Sequence, residues 1–242
     1  MIDVENNIAR LNERISCAAG RAGRSPAEIT LVAVTKSVPA EKIAEAWGAG
    51  LREFGENRVQ EAEPKILWSR ERGLGLNWHM VGHLQRNKVK KAIQLFDVIQ
   101  SVDSLPLAHE MSQRCAQAPA VRLPILLEVN VSGEASKYGF AAHEGHGRLL
   151  DDFLRAVQEI VALPHLEPQG LMTVAPFGAP EEDLRSCFRR VRSLLHRLRE
   201  QLPNQQWQHL SMGMTDDFEV AIEEGATILR IGRAIFGERR KH

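Results

Sequence analysis

Eight short apolar runs recur along this chain of 242 residues, and each gives way to a segment with helical spacing. The runs lie at 29–35, 51–54, 77–81, 98–101, 124–131, within 166–173, at 207–212 and at 227–231. Between them, helical segments are expected at 39–47, 58–71, 85–95, 104–115, 148–162, 181–202 and 216–224, with a last short turn at 233–236. Regular alternation of strand and helix over this length is the pattern of a single (β/α)8 TIM barrel. An earlier helical segment at 3–20 carries Val4, Ile8, Leu11 and Ile15 on one stripe, so an extra N-terminal helix precedes strand one. A doubly wound open sheet is the alternative. Its dinucleotide version is weakened because no Gly-x-Gly-x-x-Gly follows strand one. There is no Pro/Ser-rich linker or composition break, so residues 1–242 are expected to form one domain.

Strand one, Leu31-Val32-Ala33-Val34-Thr35, ends on Lys36. An unbroken valine-rich run this short reads as a strand buried on both faces, as in parallel sheets. Lys36 then stands at the carboxyl end of its strand, where ligands bind in parallel α/β folds. Partial burial of an amine disfavours its ammonium form and makes it a better nucleophile for a carbonyl. The plainer alternative is a lysine that reaches water.

The far end of the chain answers Lys36. After strand seven comes Ser211-Met212-Gly213-Met214-Thr215-Asp216-Asp217, and after strand eight Arg230-Ile231-Gly232-Arg233. Barrels often hold a phosphate on the loops after strands seven and eight, near a helix N-terminus. Hydroxyls at 211 and 215 and glycines at 213 and 232 suit that task. Asp216 with Glu219 also reads as a plain capping box, and Gly225 as a plain helix stop. In a closed barrel strand one neighbours strand eight, so amine and anion cradle would share one mouth. A ligand with both a phosphate and an aldehyde fits that arrangement.

Six segments, in order through nearly the whole chain, carry a resemblance. They are Val32–Lys36, Phe54-Gly55-Glu56-Asn57, Trp78-His79-Met80-Val81-Gly82-His83-Leu84-Gln85-Arg86-Asn87-Lys88, Gly170-Leu171-Met172-Thr173, Leu210–Thr215 and Arg230-Ile231-Gly232. With them the sequence resembles the pyridoxal phosphate homeostasis protein family (YggS/PROSC type), which is similar to the N-terminal barrel domain of bacterial alanine racemases. The one variation is threonine at 215, where serine would look equally familiar. The resemblance implies that Lys36 carries pyridoxal 5′-phosphate as an internal aldimine. It implies that Ser211, Gly213, Met214, Thr215 and Gly232 cradle the phosphate, that Arg230 approaches the pyridine nitrogen, and that Asn57 lies close to the ring. His83 and Met172 are expected as neighbours of the same mouth.

A guanidinium beside the ring nitrogen disfavours its protonation and makes the ring a poorer electron sink. Aminotransferase chemistry is therefore not expected. Racemisation needs a second base, which the similar racemases take from a tyrosine in a further C-terminal domain. About ten residues follow strand eight, so that domain is not expected here. Tyr138, in the long loop after strand five, is the only tyrosine. The leading expectation is a binding and delivery protein for the cofactor, with no catalytic residues and with PLP enzymes as transient recipients. The role in balancing vitamin B6 pools comes wholly from the resemblance. The alternatives are a PLP-dependent amino-acid racemase-like enzyme and a Schiff-base aldolase acting on a phosphosugar.

Composition narrows the rest. The 31 basic and 31 acidic residues balance, which gives no nucleic-acid footprint. Cys17, Cys115 and Cys187 are dispersed and odd in number, as expected of reduced thiols in a cytoplasmic protein. No signal peptide or membrane span is expected. Of the histidine pairs 79/83 and 143/146, the first spans a strand-to-glycine turn and lacks a nearby Glu or Cys partner, and no metal site is expected. The basic runs 86–91 and 181–202 read as solvated helix faces, with an acidic partner as the alternative. Lys137 reads as a loop lysine, and a monomer is expected.

Overall fold

A computed structural model describes residues 3–117, 122–143 and 147–238. It opens with α1 (Val4–Arg21), whose first turn is capped by the Asp3 carboxylate accepting from the Asn6 N–H at 3.0 Å. The chain then alternates: β1 (Thr30–Val34), α2 (Ala40–Gly48), β2 (Glu53–Glu56), α3 (Val59–Glu71), β3 (Asn77–Met80), α4 (Val89–Leu95), β4 (Val98–Val102), α5 (Leu105–Cys115) and β5 (Leu123–Asn130). A two-residue strand, β6 (Phe140–Ala141), lies along the end of β5. There follow α6 (Arg148–Val161), β7 (Leu166–Met172), α7 (Glu181–Gln201), β8 (His209–Ser211), α8 (Phe218–Glu223), β9 (Ile228–Ile231) and α9 (Arg233–Phe236).

All the pairings are parallel, in the order β4-β3-β2-β1-β9-β8-β7-β5, and a further β4–β5 pairing closes the ring. The expected eight-stranded barrel is therefore present, with helices around it.

Side chains alternate between the barrel interior and the helix-facing layer. On β9, Ile228 joins Val32, Leu126 and Met172 in a small apolar cluster inside the ring, while Leu229 and Ile231 join the outer core. Arg230 shares the inner face with Ile228. The outer core takes the stripe of α7 (Leu184, Phe188, Val191, Leu195, Leu198) and the apolar face of α1.

The helix α1 closes over the C-terminal βα units. Asn7 Nδ2 donates to the Ile235 carbonyl at 2.9 Å, and Arg24 donates to the Ile222 and Ala226 carbonyls at 3.0 and 2.8 Å.

Several local expectations shift. β2 runs over Glu53–Glu56, not 51–54, because Glu53 to Glu56 pair in register with Asn77 to Met80. The segment from 85 begins as a 3-10 turn at Arg86–Lys88 before α4. No capping box forms at Asp216. The helix starts at Phe218 with Asp217 as N-cap, and Asp216 pairs with Arg233 instead. The basic face of α7 is not simply solvated: Arg185, Arg189 and Arg192 all reach the buried Glu224, at 3.2, 3.1 and 3.4 Å. Among the described residues, no helix is long and apolar enough to cross a membrane.

Candidate functional site

Lys36 follows β1 in a tight turn. The Val38 N–H donates to the Thr35 carbonyl at 2.9 Å, and Ser37 takes a positive φ of 60°. A non-glycine residue in that region is uncommon and sits under local strain. Behind the barrel wall the turn is anchored. Lys65 Nζ donates to the Thr35 carbonyl and to Glu56 Oε1, both at 2.6 Å, and Thr35 Oγ1 donates to the same Glu56 oxygen at 2.6 Å. Glu56 is fully buried.

The loops after β8 and β9 stand beside this turn, because β1 and β9 pair with Ala33 opposite Ile231. A Cβ at Gly232 would lie 3.2 Å from the Val34 carbonyl oxygen, so the two loops approach closely. Gly213 has φ +97°, and a Cβ there would meet Ala221 Cβ at 2.7 Å. Its carbonyl accepts from the Arg230 N–H at 3.0 Å. The Met214 N–H donates to Asp217 Oδ1 at 2.5 Å, and Thr215 Oγ1 accepts from the Ala234 N–H at 3.4 Å, tying the two loops together.

Arg230 is buried at the floor of this mouth. Its guanidinium donates to Ser211 Oγ and to the Thr173 carbonyl, both at 2.7 Å. Burial pushes its pKa down to about 10, against the attraction of Glu128 and Asp217, which leaves it charged at neutral pH. Ser211 in turn donates to Gln100 Oε1 at 2.6 Å, so its hydroxyl is engaged inside the barrel and not turned toward the loop. Gln100 Nε2 meets His79 Nδ1 at 2.8 Å, and His79 Nε2 meets Glu53 Oε2 at 2.7 Å.

The opposite rim is acidic. Glu128, near the end of β5, is buried, and its Oε2 has no hydrogen-bond partner. Burial and then the charge of Asp103 raise its pKa to about 7, with Arg230 opposing. Asp103 Oδ2 lies 2.8 Å from His83 Nδ1, and the His83 ring stacks on Tyr138 with centroids 3.8 Å apart. Asn57, between β2 and α3, has its buried Oδ1 unpartnered. Met172 is buried in the inner cluster. Lys137 is paired with Glu134 at 2.6 Å.

Thus the structure brings Lys36, Asn57, His83, Met172, Ser211, Gly213, Met214, Thr215, Arg230 and Gly232 to the carboxyl ends of their strands. His79 and His83 have different partners. Among the described residues no group of three metal-ligating side chains occurs, and His146 lies outside them.

The family model for the alanine racemase N-terminal domain matches residues 7–240. The pyridoxal phosphate homeostasis protein of Escherichia coli (strain K12) is 43% identical over 244 residues, covering 99% of this chain and 98% of its own length. This chain belongs to the pyridoxal phosphate homeostasis protein family. PipY of Synechococcus elongatus PCC7942, solved with PLP bound, is 31% identical with a TM-score of 0.82, over 97% of this chain and all of that one. An alanine racemase of Clostridium difficile 630 shares the fold alone, at 14% identity and a TM-score of 0.70, over 99% of this chain and 58% of that one.

Four features of this family member escape a reading of its sequence: the Lys65–Glu56 pair, the polar residues Gln100 and His79 inside the barrel, and the buried Glu128. Glu128 stands as a lone charge within an apolar strand, while Glu56 and His79 lie in segments that carry the resemblance without their partners being marked.

Proposed function

We propose that this protein binds pyridoxal 5′-phosphate at the barrel mouth as a Schiff base on Lys36. On this reading it serves vitamin B6 homeostasis as a carrier without strong catalytic activity. The observation that carries it is adjacency: Lys36 and Gly232 leave neighbouring strands, so the lysine and a glycine-bearing loop stand at the same end of the barrel.

The residues present fit such a ligand. When bound, it supplies an aldehyde for the amine, a phosphate for the loops and a pyridine ring. Gly213 and Gly232 keep the loop backbones low. The unpartnered Asn57 Oδ1 offers a polar contact. Arg230 brings a fixed positive charge that disfavours a proton on a ring nitrogen beside it. His83 and Met172 flank the same mouth, while Met214 and Thr215 shape the loop through their bonds to Asp217 and Ala234. Residues 1–242 act as one domain, monomeric and cytoplasmic, and PLP enzymes are its transient recipients.

One observation favours a second reading, a racemase-like enzyme. Tyr138 stands on the rim, stacked on a histidine that is bonded to a carboxylate.

The visible spectrum before and after borohydride tests the first reading. A yellow protein whose chromophore borohydride fixes, beside a colourless Lys36→Ala, is expected. A colourless wild type that takes up no added pyridoxal phosphate overturns it. Turnover of alanine enantiomers, lost in Tyr138→Phe, would establish the second.

A further inference from the structure

We propose that Gln100, His79 and Glu53 are positioning residues for Arg230, forming with Ser211 a hydrogen-bonded column that fixes the guanidinium at the mouth. The proposal rests on the reading of that mouth as a cofactor site.

The column runs through a place where polar groups are costly. Barrel interiors are filled mainly by branched apolar side chains, and a buried polar group is destabilising unless it is hydrogen-bonded. Here Arg230, Ser211, Gln100 and His79 are all buried, and each is hydrogen-bonded to the next. They come from four strands: β9, β8, β4 and β3. Glu53, from a fifth, closes the chain and also accepts from Asn77 Nδ2 at 2.7 Å.

Its two ends set its direction. Guanidinium only donates, and carboxylate only accepts. Arg230 therefore donates to Ser211, and the Ser211 hydroxyl is passed on to Gln100 Oε1. That orients the amide so that Gln100 Nε2 donates to His79 Nδ1. His79 must then carry its proton on Nε2, where it donates to Glu53. With Gln100 Oε1 facing Ser211, five groups share one sense of donation.

Arg230 has no carboxylate within ion-pair distance among the described residues. Its place is set by Ser211 Oγ and the Thr173 carbonyl. The lone pair that Ser211 presents depends on where its own proton goes, and hence on Gln100. Were His79 Nδ1 to carry a proton, two donors would face each other. The Gln100 amide would turn over, and the Ser211 hydroxyl would lose its acceptor. A fault at the far end of the barrel would thus arrive beside Arg230.

The test uses the full chain as wild type, Gln100→Leu, Glu53→Ala and Ser69→Ala. The last removes the acceptor of Trp78 Nε1 on the outer side of β3, and controls for general destabilisation. Two quantities are read: the pyridoxal phosphate dissociation constant by absorbance titration, and the His79 tautomer by two-bond proton–nitrogen imidazole spectra. Uptake weakened about tenfold in Gln100→Leu and about threefold in Glu53→Ala is expected, with Ser69→Ala unchanged. The His79 signal should show an unprotonated Nδ1 in the wild type and lose that signature in Gln100→Leu. Folded variants with wild-type affinity and a wild-type His79 signal overturn the proposal, as does equal weakening in Ser69→Ala. If Gln100→Leu does not fold, Glu53→Ala at the half-exposed end decides, with Glu53→Gln as the rescue. A wild type that takes up no cofactor overturns the cofactor reading, and the His79 signal then judges the column by itself.

Discussion

The ammonium of Lys65 lies 2.6 Å from the carbonyl oxygen of Thr35, the residue immediately before Lys36. It is held there by Glu56, also at 2.6 Å, in a pair that is almost wholly removed from water. Removing one partner of a buried pair leaves an uncompensated charge, which costs about 3–5 kcal/mol. Lys65→Met should therefore destabilise the protein by that order, while Lys65→Met combined with Glu56→Leu should recover much of the loss. Urea denaturation of the single and double variants checks this. Equal stabilities would show that the pair contributes little.

Ser37 holds φ 60° in the same turn. Serine tolerates that region, whereas a β-branched side chain clashes there. Ser37→Val is expected to cost about 1–2 kcal/mol and to weaken cofactor uptake. Ser37→Gly should leave uptake near wild type. Paired thermal melts and absorbance titrations separate the two effects.

Gly213→Ala places a methyl 2.7 Å from Ala221 Cβ and 3.1 Å from Phe218 Cα, at φ +97°. Strain of this kind is worth about 1–3 kcal/mol. Because the Gly213 carbonyl also accepts from the Arg230 N–H, the shift should reach the mouth. A lowered melting temperature with weakened cofactor uptake is expected. A variant that binds as well as wild type would mean that the loop relaxes around the methyl.

Glu128 supplies a pH dependence. Burial, then Asp103, raises its pKa to about 7 in the folded protein, from an ordinary value of 4.5. The folded state therefore holds this proton more tightly than the unfolded chain does. Stability falls as pH climbs from about 4.5 to about 7, where burial of the charge is fully felt. Glu128→Gln has no charge to bury. It should match the wild type near pH 4 and exceed it at pH 8 by up to about 3 kcal/mol. Urea unfolding at both pH values is the measurement, and a constant difference would assign the effect to packing instead.

The strands were legible wherever apolar runs met clear breakers, as in Leu31–Val34 before Pro39. The sequence pattern places β2 two residues early because Gly55-Glu56 looks like a turn. In the barrel, a Cβ at Gly55 would press on Val32 at 3.0 Å, and the buried Glu56 is partnered by Lys65 from α3 and by Thr35. The residues proposed for the mouth stand out in the sequence because they sit at strand ends in short segments. The column was not, since Gln100 and Ser211 are 111 residues apart and nothing local marks either as an interior partner. The arginines of α7 read as solvated for the same reason, as their shared partner Glu224 lies on a distant segment.

The ladder between β1 and β9 joins Thr30 to Ile228, about 200 residues later in the chain. A ribosome adding about 5–20 residues per second needs some ten seconds or more to cover that distance. Until β9 has emerged, β1 lacks one of its two neighbours, and α1 lacks the α8–α9 surface that its apolar face covers. The barrel cannot shut during most of its own synthesis.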